Sequence, residues 1–428
     1  MVKMKKLYFI DVDFTRDIGG AGKATRDIII GLSKLVEVYF ILKYSEVKRI
    51  KKDRKEQDFI KLMNYLKSEG IHTSQIIEDY VIKEKDLGLK KYTDLIIKEV
   101  EEGSLIFDLN YFPYLDSPDL FSLGRELFFY GEVYLLKKYK NCKAIVLLQT
   151  LNDRKINSHF SLALYLLLNF QYFSPYFLLR SIYRNVKDRI ITNKLVKFSD
   201  IVFLYSNGAM ECMNIKKSLQ KFHVLKIGNT ISDKQVTQRK ERYAIFFARL
   251  IPEKGIFDIV QILTNLIENI DIKLIITGKF RNNRIKTKFF KIVRKYNLFK
   301  NIEYLGYVPM DELLKIISKA NVFINPSHYD SFSYAILESI SFGTPVVTYD
   351  LPTLSSIYQD LNCVKFVKEF DTKAMSTEVL KFLKMDNHEY QLIFEETRVK
   401  EFIDIHNDPK KSINEIYSYI KDVLRSCD

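Results

Sequence analysis

The sequence predicts an α/β protein of two Rossmann-like, doubly wound domains, with helices at the C-terminal end. Three observations carry this expectation. Short runs rich in β-branched and aromatic residues alternate with helix-length amphipathic patterns along the chain, as strands joined by crossover helices do. The 428 residues exceed what one core ordinarily holds and suit two of roughly 200 residues each. The alternation breaks once, in the polar stretch Asn229 to Arg242, and then restarts.

Strands are expected at Lys5 to Asp13, Val36 to Leu42, Ser104 to Asn110, Lys143 to Thr150, Asp200 to Ser206 and His223 to Ile227. After the break they are expected at Tyr243 to Arg249, Ile272 to Gly278, Asn301 to Gly306, Asn321 to Ser327, Pro345 to Asp350 and Cys363 to Val367. The chain thus divides into a first domain over 1–228, a linker over 229–242, a second domain over 243–408 and a terminal helix over 409–428. From Thr372 onward the pattern is helical, and Ile413, Ile416, Ile420 and Leu424 recur at the spacing of a packing face.

With 47% hydrophobic and 28% charged residues the composition is that of a folded protein. Cys142, Cys212, Cys363 and Cys427 form no CxxC pair, so neither a zinc site nor a disulfide framework is indicated, which suits a reducing cytoplasm. The basic start Met1 to Lys6 is followed by an apolar run reaching only Ile10, too short for a signal-peptide core. A net charge of +14 is compatible with nucleic acid, anionic lipid or phosphorylated substrates and does not choose among them.

The first strand ends in Asp11-Val12-Asp13 and leads to Gly19-Gly20-Ala21-Gly22-Lys23 and a helical pattern. A strand, a glycine turn and a helix N-terminus make an anion site, and a plain connecting turn fits the same residues. A Walker A loop is excluded by Asp17 and Ala24. In the second half, Arg249 and Lys254 stand five residues apart in a turn at the carboxyl edge of the sheet, where open α/β domains bind ligands. Such cations can hold a diphosphate, Arg by its planar fork and Lys as a point charge; from spacing alone a pair of solvated surface cations is the favoured reading. Further on comes His328 to Glu338, followed by Gly343-Thr344-Pro345. A helix starting near Ser331 would place Asp330 at its N-cap and Glu338 about 12 Å along the axis.

Together these segments resemble the family 4 glycosyltransferases, retaining enzymes of the GT-B fold. The resemblance rests on the Arg-x4-Lys-Gly turn from Arg249 to Gly255, the strand ending at Gly278 and the Leu305 to Val308 strand. It continues with the Pro309 to Leu313 helix start, an acidic pair at Asp330 and Glu338, and the Gly343 to Val347 run. This chain departs from the pattern with Asp330 where Glu is commoner, with Ser331 and Ser333 where glycines are usual, and with Gln149 where a histidine often contacts the sugar.

The resemblance implies a hexosyltransferase acting on a nucleotide-diphosphate sugar with retention, with neither cofactor nor metal ion required. Arg249 and Lys254 would bind the diphosphate, Glu338 the ribose hydroxyls and Asp330 the transferred sugar. Ser333 and Tyr334 would present backbone N–H groups, with Gly278 nearby and Gly19, Gly20 and Gln149 lining the donor from across the cleft. Arg249, Lys254 and Asp330 would be the catalytic groups. Asp11-Val12-Asp13 resembles the acidic triplet of the other large glycosyltransferase fold, but its position suits a structural or acceptor-side role. The departures also allow a catalytically silent partner subunit.

Ile156 to Leu179 holds no charged residue, while Phe160, Tyr165, Phe170, Tyr172, Phe173, Tyr176 and Phe177 lie within it. A single crossing of a bilayer would separate strands that belong to one sheet. A segment lying on an anionic membrane surface, flanked by Arg180, Arg184, Lys187 and Arg189, is expected instead; a buried helix pair is the other reading. The expected partners are therefore a nucleotide-sugar donor, a lipid-linked glycan acceptor and the inner face of a cell membrane. No basic helix, finger or stacking platform for nucleic acid is evident.

Overall fold

The computed structural model describes residues 6–11, 20–44, 47, 56–74, 88–108, 125–148, 156–172, 179, 197–212, 220–226 and 240–425. Two parallel sheets organise them. The first holds β1 (Leu7–Asp11), β2 (Val38–Leu42), β3 (His72–Thr73), β4 (Leu105–Asp108), β5 (Lys143–Leu147), β6 (Ile201–Leu204) and β7 (Phe222–Val224), in the order β3-β2-β1-β4-β5-β6-β7. The second holds β8 (Tyr243–Phe247), β9 (Lys273–Thr277), β10 (Ile302–Gly306), β11 (Val322–Asn325), β12 (Val346–Tyr349) and β13 (Val364–Val367), in the order β10-β9-β8-β11-β12-β13.

Every strand expected from the sequence has a counterpart among the described residues, and β3 is additional. The central strands read as continuous apolar runs, Leu-Tyr-Phe-Ile in β1 and Tyr-Ala-Ile-Phe-Phe in β8, and are buried throughout. That is what helices on both faces of a parallel sheet require. In each sheet the strand order reverses beside the first strand, between β1 and β4 and between β8 and β11. Such a switch point marks the place on the carboxyl edge where ligands of open α/β sheets bind.

Around the first sheet lie α1 (Gly20–Ser33), α2 (Glu56–Ser68), α3 (Leu89–Glu99), α4 (Arg125–Lys140), α5 (Ile156–Phe170) and α6 (Asn207–Cys212). Around the second lie α7 (Asp258–Ile267), α8 (Asn283–Lys295), α9 (Met310–Lys319), α10 (Tyr334–Ser341), α11 (Pro352–Tyr358) and α12 (Thr372–Lys384). They are followed by α13 (Asn387–Glu395), α14 (Thr397–His406) and α15 (Pro409–Arg425). The last helix returns to the first sheet. Ile413, Ile416 and Ile420 are buried in the core shared with α1, and Glu415 Oε1 accepts from the Lys226 N–H at 2.8 Å.

The uncharged segment resolves into two faces. Leu162, Leu166 and Phe170 of α5 are buried in the core of the second sheet, and the Tyr165 hydroxyl donates to Asp258 Oδ1 at 3.0 Å. Phe160, Leu164, Leu167 and Leu168, spaced along the opposite stripe, are exposed, Leu168 by 71%. One face therefore fits the expectation of burial, and the other is left uncovered by the described residues. Residues 173–178 and 180–196, with Phe173, Tyr176, Phe177 and the whole expected basic flank Arg180, Arg184, Lys187 and Arg189, lie outside them. No helix among the described residues is long and apolar enough to cross a membrane.

Contrary to the sequence expectation, a basic helix does exist. Six cations stand on α8, Arg284, Lys286, Lys288, Lys291, Arg294 and Lys295. The amphipathic spacing of Ile285, Phe289, Ile292 and Val293, which are buried, masked this concentration of one sign on the outer face.

Candidate active site

After β8 the chain passes Arg249 into a short 3-10 turn, Pro252–Lys254, which Gly255 closes at φ 75. A Cβ on Gly255 would lie 2.1 Å from the Pro326 carbonyl oxygen. Only glycine therefore lets this turn press against the end of β11. The His328 N–H donates to the Glu253 carbonyl at 2.9 Å and fastens the two loops together. Lys254 is thereby laid across the β8/β11 switch point: its Nζ is 2.7 Å from Asp330 Oδ2 and 3.0 Å from the Tyr329 carbonyl oxygen. Both members of the pair keep an edge in solvent, 16% and 14% exposed. Arg249 is exposed at the same edge.

Asp330 does not cap the following helix. α10 begins at Tyr334, with Ser333 in the cap position at φ 59 and ψ 87 and no side-chain capping bond. The loop before it is pinned elsewhere: Asp330 pairs with Lys254, its carbonyl accepts from Thr353 Oγ1 at 2.6 Å, and the Phe332 carbonyl accepts from the Tyr358 hydroxyl at 3.0 Å. The chain then enters the helix through a left-handed residue. A non-glycine residue there costs roughly 1 kcal/mol or more, which accounts for glycine being usual at this position in the resembled family. The expected separation of Asp330 and Glu338, built on a helix starting near Ser331, falls with that start.

The Tyr334 and Ala335 N–H groups make no hydrogen bond with the described residues, whereas the Ile336 N–H already donates to the Ser333 carbonyl at 3.1 Å. Within the same helix Glu338 is 5% exposed, and its carboxylate makes no hydrogen bond with the described residues. Burial pushes it up to about 7, with the Lys23 ammonium partly offsetting that rise. Lys23, on the first turns of α1, reaches the α10 end of the site, its Nζ 5.5 Å from the centre of the Tyr334 ring. Gly278 follows β9 at φ 128, its N–H donating to the Gly306 carbonyl at 2.7 Å. Gly20 opens α1; Gly19 and Gln149 lie outside the described residues.

The fold thus brings Arg249, Lys254, Asp330, Ser333, Tyr334 and Glu338 to one edge. Two residues that sequence reasoning passed over belong with them. Lys23 had been quoted in the glycine stretch, and its signal was its place in the first turn of the helix. His328 stands two positions before Asp330 and is fully buried, Nδ1 2.9 Å from Glu369 Oε1 and Nε2 3.3 Å from Asp258 Oδ2. Asp258 also accepts from the hydroxyls of Tyr349, at 2.9 Å, and Tyr165. This network anchors the floor of the Asp330 loop, and Tyr165 ties α5 to it. A histidine directly after a buried strand, two residues before the acidic Asp330, was the available clue.

Residues 229–398 match the model of the family described as glycosyl transferases group 1. The O-antigen chain mannosyltransferase B of Escherichia coli is 28% identical over 202 residues, 47% of each chain. A glycogen synthase of Mycobacterium tuberculosis is 28% identical over 108 residues, 25% of each. The chain spans about half or less of the length of the curated relatives it matches. Solved structures are alike over almost the whole length: HepE of Anabaena with UDP and glucose has a TM-score of 0.64 at 12% identity, covering 98% of this chain and 100% of that one. Sucrose-phosphate synthase of Thermosynechococcus elongatus gives 0.64 at 14% identity, covering 99% and 100%. The chain therefore has the two-domain GT-B fold, and its residues 229–398 are similar to the group 1 glycosyl transferases.

Proposed function

We propose that the protein is a retaining glycosyltransferase that moves a sugar, a hexose by the resemblance, from a nucleotide-diphosphate donor to an acceptor hydroxyl. The observation that carries this is the Lys254–Asp330 pair astride the β8/β11 switch point, next to a helix without a side-chain cap whose Glu338 is buried and makes no hydrogen bond with the described residues. Arg249 and Lys254 hold the diphosphate and take up the negative charge that grows on it as the glycosidic bond breaks. Asp330 orients the sugar and Glu338 accepts from the ribose hydroxyls. Ser333, Tyr334, Gly278, Gly19, Gly20 and Gln149 complete the donor site. The acceptor proton passes to the leaving phosphate, so neither an enzymic nucleophile nor a metal ion is needed.

The acceptor in this reading is a lipid-linked or cell-surface glycan, in keeping with the O-antigen relatives, and the protein works at the inner face of a cell membrane, resting on the exposed stripe of α5. A donor screen tests the catalytic part. Purified protein incubated with UDP-, GDP- and dTDP-sugars and lipid extract should release one nucleotide. Silence with every donor would leave a catalytically inert partner subunit as the better reading.

A further inference from the structure

Between Asp271 and Glu303 the chain carries ten Lys and Arg residues and no Asp or Glu. Most fall on or beside α8. At intervals of four, three and four, Arg284, Lys288, Lys291 and Lys295 form a stripe along one side of the buried Ile285, Phe289, Ile292 and Val293, with Arg294 on the face opposite the buried residues. Lys286, Lys288, Lys291, Arg294 and Lys295 make no ion pair with the described residues, whereas Lys381 of α12 has its Glu378 at 2.6 Å. Like charges three and four apart destabilise a helix. Burial and the neighbouring Lys291 and Lys295 even pull the Lys288 ammonium below its ordinary value. A merely solvated face has no need of this arrangement, and a polyanionic surface relieves it.

The position of α8 narrows the surface further. Its Arg284 guanidinium lies 5.6 Å from the centre of the Tyr172 ring, two residues past the end of α5, and Tyr172 packs on Phe257 at 5.1 Å. The basic helix of the second domain therefore adjoins the helix that exposes Phe160, Leu164, Leu167 and Leu168. An apolar stripe beside a cationic one matches a bilayer interface with anionic headgroups; a nucleic acid would use the cations and leave the leucines unexplained.

We infer that α8 is the electrostatic half of a membrane-docking surface for anionic lipid, of which the exposed stripe of α5 is the apolar half. The inference rests on the proposed membrane attachment and adds to it that both domains bear on the bilayer, which fixes the cleft relative to it.

Flotation with phosphatidylcholine vesicles, with and without phosphatidylglycerol, separates the two halves. Each cation near an anionic surface is worth about a fivefold change in partition. Replacing Lys291, Arg294 and Lys295 together by Gln should thus weaken binding to anionic vesicles about a hundredfold, flatten its salt dependence and leave binding to neutral vesicles unchanged. Nucleotide release from a soluble donor reports that the variant is folded. Leu164→Ser with Leu168→Ser should weaken binding to both kinds of vesicle. If the charge variant binds anionic vesicles as the parent does while the leucine variant does not, α8 has no part and attachment through α5 stands. If the parent binds neither kind of vesicle, the membrane reading itself fails. Preference for single-stranded RNA over anionic vesicles, lost in the charge variant, would overturn the inference in favour of nucleic acid.

Discussion

Both sheets carry a Lys–Asp pair at the carboxyl edge near the switch point, and the two pairs are built for opposite ends. In the first domain Lys43 Nζ lies 2.8 Å from Asp108 Oδ1, with side chains only 4% and 3% exposed. Asp11 at the end of β1 is buried beside them, and Glu132, just past the kink of α4 at Gly131, accepts from the Tyr44 N–H and the Tyr92 hydroxyl at 3.1 Å each. Asp108, Asp11 and Glu132 together hold the Lys43 ammonium above its ordinary value despite its burial. In the second domain Lys254 and Asp330 are as close but open to the cleft. A sealed pair can only specify structure; an open one can exchange its carboxylate for a phosphate.

The largest expected effect breaks the sealed pair. Removing one partner leaves a buried charge uncompensated, so Lys43→Ala should destabilise the fold by about 3–5 kcal/mol, read from the midpoint of urea unfolding. Lys254→Ala should leave that midpoint nearly unchanged. If the two variants unfold alike, the distinction between sealed and open is lost.

Glu338 sharpens the contrast through pH. Its folded value of about 7 lies above the ordinary carboxylate value, so the folded state binds more protons and stability falls as pH rises from about 4.5 to about 7. Glu338→Gln removes this penalty. The variant should gain up to about 3 kcal/mol at pH 8 and converge with the parent at pH 4.5, while its donor KM rises because the charge on a ribose does not change during reaction. Equal stability of parent and variant across that range would contradict the burial of Glu338 as a raised carboxyl.

A smaller effect tests the loop between the two. Ser333 holds φ 59, which glycine adopts freely, so Ser333→Gly should raise stability by roughly 1 kcal/mol. Thermal unfolding decides it, and a loss of stability would mean that the serine contributes something beyond its backbone. Asp330→Glu, which restores the commoner family residue, should keep turnover within a few-fold.

The sequence read the sheets well because parallel strands buried on both faces are continuous apolar runs, and β8, β11 and β12 are such runs flanked by polar turns. Lys254, Asp330 and Glu338 are joined in one constellation only by the resemblance to a family pattern; by spacing alone they read as a surface cation, a helix cap and a surface acid. What stayed illegible depends on tertiary contact. The start of α10 is displaced by bonds from Thr353 and Tyr358, which no local pattern encodes. Lys23 reaches the site only because α1 faces α10. α5 divides into a buried and an exposed stripe because the second domain covers one side of it, and twenty-four uncharged residues in a row gave no hint of which.

In the proposed reaction the open pair of Lys254 and Asp330, with Arg249 at the same edge, is where donor charge is stabilised. Steady-state turnover of purified, folded Arg249→Ala and Lys254→Ala, with the donor found active in the screen, tests it. Each variant should lose about a hundredfold in kcat, or roughly 3 kcal/mol, with a smaller change in donor KM, because the charge on the diphosphate grows in the transition state. Normal turnover in both variants would contradict the placement of the active site at the β8/β11 switch point.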